Sequence, residues 1–145
     1  MSKYTNAIGL ADAIINDLLS HRQVMESMGR QFYQKGTITH EEISLIEPGK
    51  PFVIIPGITS YRIPTLNPFQ VVLHVIMGPR AIFKIHSHDC PEAGTVIQGE
   101  CEVNKATYKF MQSFSFNTGE EHQIYSEHGC SMTIDFGTPP KNKRA

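Results

Sequence analysis

The chain has 145 residues, a length that suits one domain with its own hydrophobic core and leaves little room for two. Hydrophobic residues make up 40% of it and charged residues 19%, a globular composition that excludes a highly charged, disordered protein. The formal net charge of -1 provides no bulk attraction to nucleic acid or to an anionic membrane surface. We therefore expect neither of these as a partner.

The amino-terminal residues show no basic start followed by a sustained apolar run, and no stretch approaches the roughly 20 apolar residues of a membrane-spanning helix. The cysteines Cys90, Cys101 and Cys130 are far apart and form no C-x-x-C pair, so neither a disulfide framework nor a structural zinc site is indicated. We expect reduced thiols and a cytoplasmic protein.

The first 48 residues are predicted to form a helical segment. Apolar residues between Tyr4 and Met28 recur at three- and four-residue steps, which predicts a long amphipathic helix. Thr39 and Glu42 have the spacing of a capping box, which predicts a second, short helix that ends at Pro48–Gly49. The apolar stripe of the long helix must be buried, either on the outside of the following domain or in a dimer contact, and we expect a homodimer.

Residues 49–138 are predicted to form a β-barrel. Runs rich in Val, Ile, Phe, Tyr and Thr alternate with Gly, Pro and Asn turns, which is typical of short strands. Eight short strands suit a small barrel or jelly roll. The remaining residues, 139–145, read as a basic, solvated tail. The predicted strands are 51–55, 60–63, 69–77, 81–87, 94–103, 107–116, 121–126 and 130–136.

A group of potential metal ligands lies in these strands. His86 and His88 are two residues apart, so a regular strand directs both imidazoles to one face. Glu92 follows after a turn, and His122 lies on a later strand. Three histidines and one glutamate form a ligand set for a transition metal such as Fe, Mn, Ni, Cu or Zn. The alternative interpretation is a half-exposed strand with an acidic neighbour that is there by chance.

Two further residues are candidates for catalysis. Lys84 has the same parity as the two histidines, which would direct its amine into the same pocket to bind an anionic substrate. His74 lies in a predicted strand that could line the cavity. The alternatives are a lysine that extends past the rim into water and a histidine held by a structural hydrogen bond.

The segment from Gly78 to Gly99 resembles the first motif of the cupin superfamily, Gly-x5-His-x-His-x3or4-Glu-x6-Gly. From His86 to Gly99 the match is complete, and only the leading glycine is displaced. The second motif, Gly-x5-Pro-x-Gly-x2-His-x3-Asn, keeps its Gly-x2-His core at Gly119 and His122. Residues 56–63 and 126–136 are similar to the cupin domain of ChrR-type anti-sigma factors.

This resemblance implies a mainly β, double-stranded cupin barrel with a divalent transition metal, Fe(II) favoured over Mn, Ni or Zn, held by His86, His88, Glu92 and His122. It implies a metal-dependent enzyme for a small polar metabolite, a dioxygenase first and an isomerase or lyase second, with Lys84 or His74 orienting or deprotonating the substrate. The alternatives are a non-catalytic sensor that acts through its amino-terminal helix on a protein partner, and a degenerate, purely structural cupin.

Overall fold

The computed structural model describes residues 36–67 and 69–140, together with Gln23, Glu26 and Met28. These three residues are helical, and the rest of the predicted helix from Tyr4 to Met28 lies outside the described residues. The same holds for residues 141–145 of the predicted tail. No helix in the described part of the chain is long and apolar enough to cross a membrane.

Two β-sheets form most of the described structure and confirm the predicted barrel. The elements are β1 (Thr37–Ile38), α1 (His40–Ser44), β2 (Phe52–Ile55), β3 (Ile58–Ile63), β4 (Val71–Met77), β5 (Ala81–His88), β6 (Glu92–Gly99), β7 (Cys101–Val103), β8 (Ala106–Tyr108), β9 (Ser113–Phe116), β10 (His122–Ser126) and β11 (Cys130–Phe136).

The five-stranded sheet has the order β1-β5-β10-β7-β8, and the six-stranded sheet has the order β2-β3-β4-β11-β6-β9. Neighbouring strands are antiparallel, except that β1 pairs in parallel with β5. Apolar side chains on alternate positions of these strands are buried and form one hydrophobic core.

Two predicted strands are each divided between the sheets. The predicted strand 94–103 becomes β6 and β7, because the backbone turns at Gly99, where φ is 73°. A Cβ atom at Gly99 would lie 2.4 Å from the carbonyl oxygen of Gly129, so only glycine fits at this corner. The predicted strand 107–116 likewise becomes β8 and β9. The chain thus crosses twice between the sheets where a continuous strand was predicted.

The predicted short helix forms as α1 and begins at the predicted capping box, but it ends at Ser44, before the predicted end at Pro48–Gly49. The Thr39 hydroxyl accepts a hydrogen bond from the Glu42 N–H (3.1 Å), and the Glu42 carboxylate accepts one from the Thr39 N–H (3.2 Å), which is a complete capping box. The His40 N–H donates to the Asp89 carboxylate (2.7 Å) directly after β5. Arg62 in β3 donates to the carbonyl of Ser44 (3.0 Å). The helix is therefore attached to both sheets.

Candidate metal centre

Three buried histidines meet in the five-stranded sheet. His86 and His88 lie on β5, and His122 on the neighbouring strand β10 is directly opposite His86 in the strand register. Each is at most 4% exposed, and one ligand nitrogen of each lies within 4.8 Å of the other two. The structure therefore brings together three side chains that were predicted as metal ligands.

Each imidazole is oriented by a hydrogen bond to a backbone carbonyl. The Nδ1 atom of His86 contacts the Lys84 carbonyl (2.7 Å), that of His88 the Ile38 carbonyl (2.8 Å), and that of His122 the Glu120 carbonyl (2.9 Å). Because a carbonyl only accepts, Nδ1 carries the proton in all three rings. In the neutral imidazole this places the lone pair on Nε2, and metal-binding histidines are commonly fixed in this way.

Glu92, the first residue of β6, adds a carboxylate from the other sheet. Its Oε2 atom lies 2.8 Å from His122 Nε2 and 3.3 Å from His88 Nε2. Two atoms that each bind one ion at about 2.1 Å and at right angles lie about 3.0 Å apart. Neither Glu92 Oε2 nor His122 Nε2 has a hydrogen-bond partner, although both are buried. Buried polar atoms that face one another without a hydrogen bond fit a cation that would lie between them.

The charges of the cluster are arranged around this carboxylate. Burial by itself would raise the pKa of Glu92, but the imidazoles of His122 and His88 hold that pKa below its ordinary value. Burial would also lower the pKa of His122, but the Glu92 carboxylate raises it above the ordinary value. Burial, together with the neighbouring His122 and His88, lowers the pKa of His86 to about 3. Without a metal, the cluster thus contains a neutral His86 beside an ion pair.

Aromatic rings support the histidines. The Phe116 ring is stacked on His122 with a centroid distance of 3.8 Å and an interplanar angle of 7°. Phe136 contacts His88 edge-on at 5.0 Å. These contacts restrict the imidazole rotamers and keep water away from the ligand atoms.

The cluster borders a cavity of about 40 Å³ inside the barrel. Apolar side chains of the barrel form most of its wall: Leu73, Val75, Phe83, Ile124, Ile134 and Phe136. Four more come from the chain before β2: Met28, Ile38, Ile43 and Ile46. The polar lining among the described residues consists of Ser60, His86, His88 and Glu92. The site is therefore a polar cluster in an otherwise apolar chamber.

Lys84 and His74 are not among the described residues that line this cavity. Between the two sheet pairs His122–His86 and Ile124–Phe83, β5 contains one residue more than β10, which is a β-bulge. The bulge shifts the alternation of β5, so that Phe83 and His86 are buried while Lys84 is exposed. Lys84 thus does not share the face of the histidines, although its parity predicted that it would.

His74 lies on β4, on the face opposite to its buried neighbours Leu73 and Val75. Its Nδ1 atom forms a hydrogen bond with the Tyr61 hydroxyl on β3. This contact agrees with the alternative interpretation of a hydrogen-bonded structural histidine.

Sequence reasoning missed two contributors to the site. The Ile38 carbonyl orients His88, but a backbone acceptor on a two-residue strand leaves no side-chain signal. Ser60 is 4% exposed and lines the cavity; its position on the buried face of β3 could be predicted only once the register of that strand was known.

Cys90, near the cluster, is buried, and burial raises the pKa of its thiol to about 12, which disfavours a reactive thiolate.

The sequence matches no protein-family model, and no curated protein is significantly similar to it. Solved structures do match. An RmlC-like cupin from Shewanella frigidimarina superposes with a TM-score of 0.55 at 16% identity over 68% of this chain and 93% of that one. A chain in the Rhodobacter sphaeroides complex of SigE with the anti-sigma ChrR gives 0.55 at 15% identity over 60% of this chain. The match spans about half, 49%, of that chain.

Oxalate decarboxylase from Bacillus subtilis, described with Mn(II) centres, gives a TM-score of 0.54 at 18% identity. That match covers 65% of this chain and 29% of the decarboxylase. The chain therefore has the cupin fold, as the motif resemblance predicted, and a buried histidine cluster inside it that could hold a metal ion.

Proposed function

We propose that the protein is a metal-dependent cupin enzyme in which His86, His88, His122 and Glu92 bind a divalent transition metal. One observation carries this proposal: all three Nδ1 atoms are bound to backbone carbonyls, and this orients the rings so that ligand nitrogens meet beside one buried carboxylate. Fe(II) is the favoured metal, with a dioxygenase reaction on a small metabolite as the first candidate and isomerase or lyase chemistry as the second. A neighbour with the same fold that is described with Mn(II) centres supports a metal in a protein of this fold.

A bound metal with open coordination positions would supply Lewis-acid or redox chemistry to a ligated substrate. The protein's own residues would orient the metal ligands and shield the site from water. The three imidazoles remain fixed by their carbonyl partners, and the apolar walls exclude bulk water. Glu92 is the one carboxylate among the described residues of the lining, and as a ligand it would balance part of the positive charge of the metal. Lys84 and His74 have no part in this proposal, because neither lines the cavity.

Metal content tests the proposal directly. We would purify the protein without added metal or a metal-chelating tag and measure bound metals by elemental mass spectrometry. We expect about one transition-metal ion per chain in the wild type and loss of that metal in His86→Ala and in His122→Ala. His74→Ala is the matched control, since it removes a histidine from the outer face of the barrel, and it should retain the metal. An absence of metal in the wild type, even after anaerobic reconstitution with Fe(II), would disprove the proposal.

A second candidate function is a sensor in which site occupancy controls the chain before β2. Ile38 supplies the carbonyl that orients His88, and the cavity wall includes Ile43 and Ile46, so the cluster and this segment are in direct contact. The fold similarity to a chain in the complex of SigE with ChrR also supports this candidate. A sensor predicts that metal or ligand changes protease cleavage around Gly29 and Gly36, whereas an enzyme predicts protection only at the barrel.

A further inference from the structure

The wall of the cavity is much less polar than the histidine and glutamate cluster at its edge. Apart from the metal-ligating side chains, the polar residue in the described part of the lining is Ser60. No lysine or arginine in that part of the chain lines the cavity, and no carboxylate does so besides Glu92. The remaining side chains, such as Leu73, Val75 and Ile134, are apolar and at most 8% exposed.

This wall restricts the charge that a ligand can carry. A ligand group that binds the metal is compensated there, but a second ionised group farther from the metal would lose its water and find no opposite charge among the described lining residues. Burial of an unpaired carboxylate or ammonium costs several kcal/mol. A hydroxyl or carbonyl is tolerated near Ser60, because a single hydrogen bond compensates a neutral polar group.

The size of the cavity restricts the ligand further. The cavity of about 40 Å³ beside the cluster is small. Ile43 and Ile46, from the chain before β2, are 2% and 1% exposed and form part of the wall. A ligand that leaves the structure as it is therefore has a short remainder beyond its metal-binding group.

We propose that the ligand of this site is a small molecule with one metal-binding head and a short, uncharged, mainly apolar remainder. Dicarboxylates, amino acids that retain a free ammonium group, and sugars are disfavoured. This inference rests on the proposed function, because the head is held by the metal that His86, His88, His122 and Glu92 bind. It goes further, since the selectivity arises from residues that do not bind the metal.

The experiment compares two acids of equal chain length on the protein loaded with Co(II), whose visible absorption changes when a ligand binds. Butanoate ends in a methyl group, whereas succinate ends in a second carboxylate. We expect butanoate to bind and succinate to bind at least about 100-fold more weakly. Equal or tighter binding of succinate would overturn the inference, and so would a Co(II) spectrum that neither acid changes.

A pair of variants tests the size limit. Ile43→Ala removes wall volume, and it should strengthen hexanoate binding about tenfold, because two more methylene groups are then buried. Leu45→Ala is the matched control: Leu45 directly follows the same helix but is 58% exposed, and its variant should bind hexanoate as the wild type does. An equal response of both variants would contradict the proposed wall.

Failure of the proposed function would give a different experimental result from failure of the ligand inference. If the protein takes up no Co(II), the metal site itself is disproved, and the ligand inference is disproved with it. If Co(II) binds with a changed spectrum in His86→Ala but the acids show no selectivity, the metal site stands and only the ligand class is wrong.

Discussion

The two sheets contribute different candidate ligands to the same cavity. The five-stranded sheet supplies the three imidazoles, from β5 and β10. The six-stranded sheet supplies apolar wall residues such as Val75 and Ile134, and one carboxylate at the very start of β6. The histidines thus come from one sheet and the carboxylate from the other, while both sheets supply apolar wall residues, so the site exists only when the two sheets are packed together.

The sheets also differ in how their ligands are held. On the five-stranded sheet every ligating histidine has a backbone acceptor for Nδ1. On the six-stranded sheet the Glu92 atom that faces the histidines has no hydrogen-bond partner. The histidines are consequently preorganised, whereas the carboxylate oxygen depends on a cation or a proton for its compensation.

The largest expected effect is the stabilisation of the whole barrel by metal, because an ion bound to Glu92 and the histidines would join the two sheets. A ligand that binds only the native state at about 1,000 times its Kd adds about 4 kcal/mol to the free energy of unfolding. For a domain of this size that raises Tm by roughly 10 °C. Calorimetry with metal and with chelator measures the shift. An unchanged Tm would contradict a metal that bridges the sheets, and His86→Ala should show no shift.

The next effect separates cavity shape from coordination. Ile134→Ala deletes a buried wall residue of the six-stranded sheet and should lower the free energy of unfolding by about 2–4 kcal/mol, because it leaves a cavity. Metal stoichiometry should remain that of the wild type. Urea denaturation and metal analysis measure the two quantities. Thr133→Ala, on the outer face of the same strand, should cost much less, and loss of metal in Ile134→Ala would show that wall and cluster are not independent.

An ion pair between Glu92 and His122 connects the sheets when metal is absent. Because Glu92 raises the pKa of His122 above its ordinary 6.5, this imidazole keeps a proton at pH values where a free histidine is neutral. Metal must displace that proton, so metal affinity should rise as pH rises through the raised pKa of His122 and fall as pH falls. Calorimetry in buffers with different ionisation enthalpies detects the released proton. Glu92→Gln removes the carboxylate and should abolish the release near pH 7, and a buffer-independent heat in the wild type would refute the ion pair.

The smallest effect concerns α1, which brings Ile43 to the cavity. Thr39→Ala removes the capping hydroxyl and should lower the free energy of unfolding by about 1 kcal/mol. Thr39→Ser keeps the hydroxyl and should restore nearly all of that loss. Chemical denaturation of the two variants resolves the difference, and equal stabilities would show that the capping box does not stabilise the protein.

The fold was predictable because its signals are local. Alternating apolar residues and turn residues indicated the strands, and Thr39 and Glu42 indicated the start of α1. The spacing from His86 to Gly99 carried the resemblance to cupins, and Gly99 has a physical reason for its place, since a side chain there would collide with the backbone at Gly129. The convergence of His122 with the other ligands followed from the weaker second motif.

The features of the fold and the site that the sequence did not predict depend on pairing between distant segments. The bulge that turns Lys84 outwards comes from the register between β5 and β10, which a parity count along one strand does not contain. The crossing between the sheets at Gly99 divides residues 94–103, whose composition predicted one continuous strand, into β6 and β7. To predict that Ile43 and Ile46 line the cavity, one would have to know where α1 packs. The capping box indicates only where that helix begins.

The parallel strand β1 has a consequence for the minimal unit of this protein. Its Ile38 carbonyl sets the tautomer of His88, and residues Ile38, Ile43 and Ile46 complete the wall of the chamber. A fragment that begins at β2 would keep all four candidate ligands and nearly all strands, yet its His88 would lack its acceptor and its chamber would be open to water. The segment before β2 therefore belongs to the candidate site as well as to the hydrophobic core.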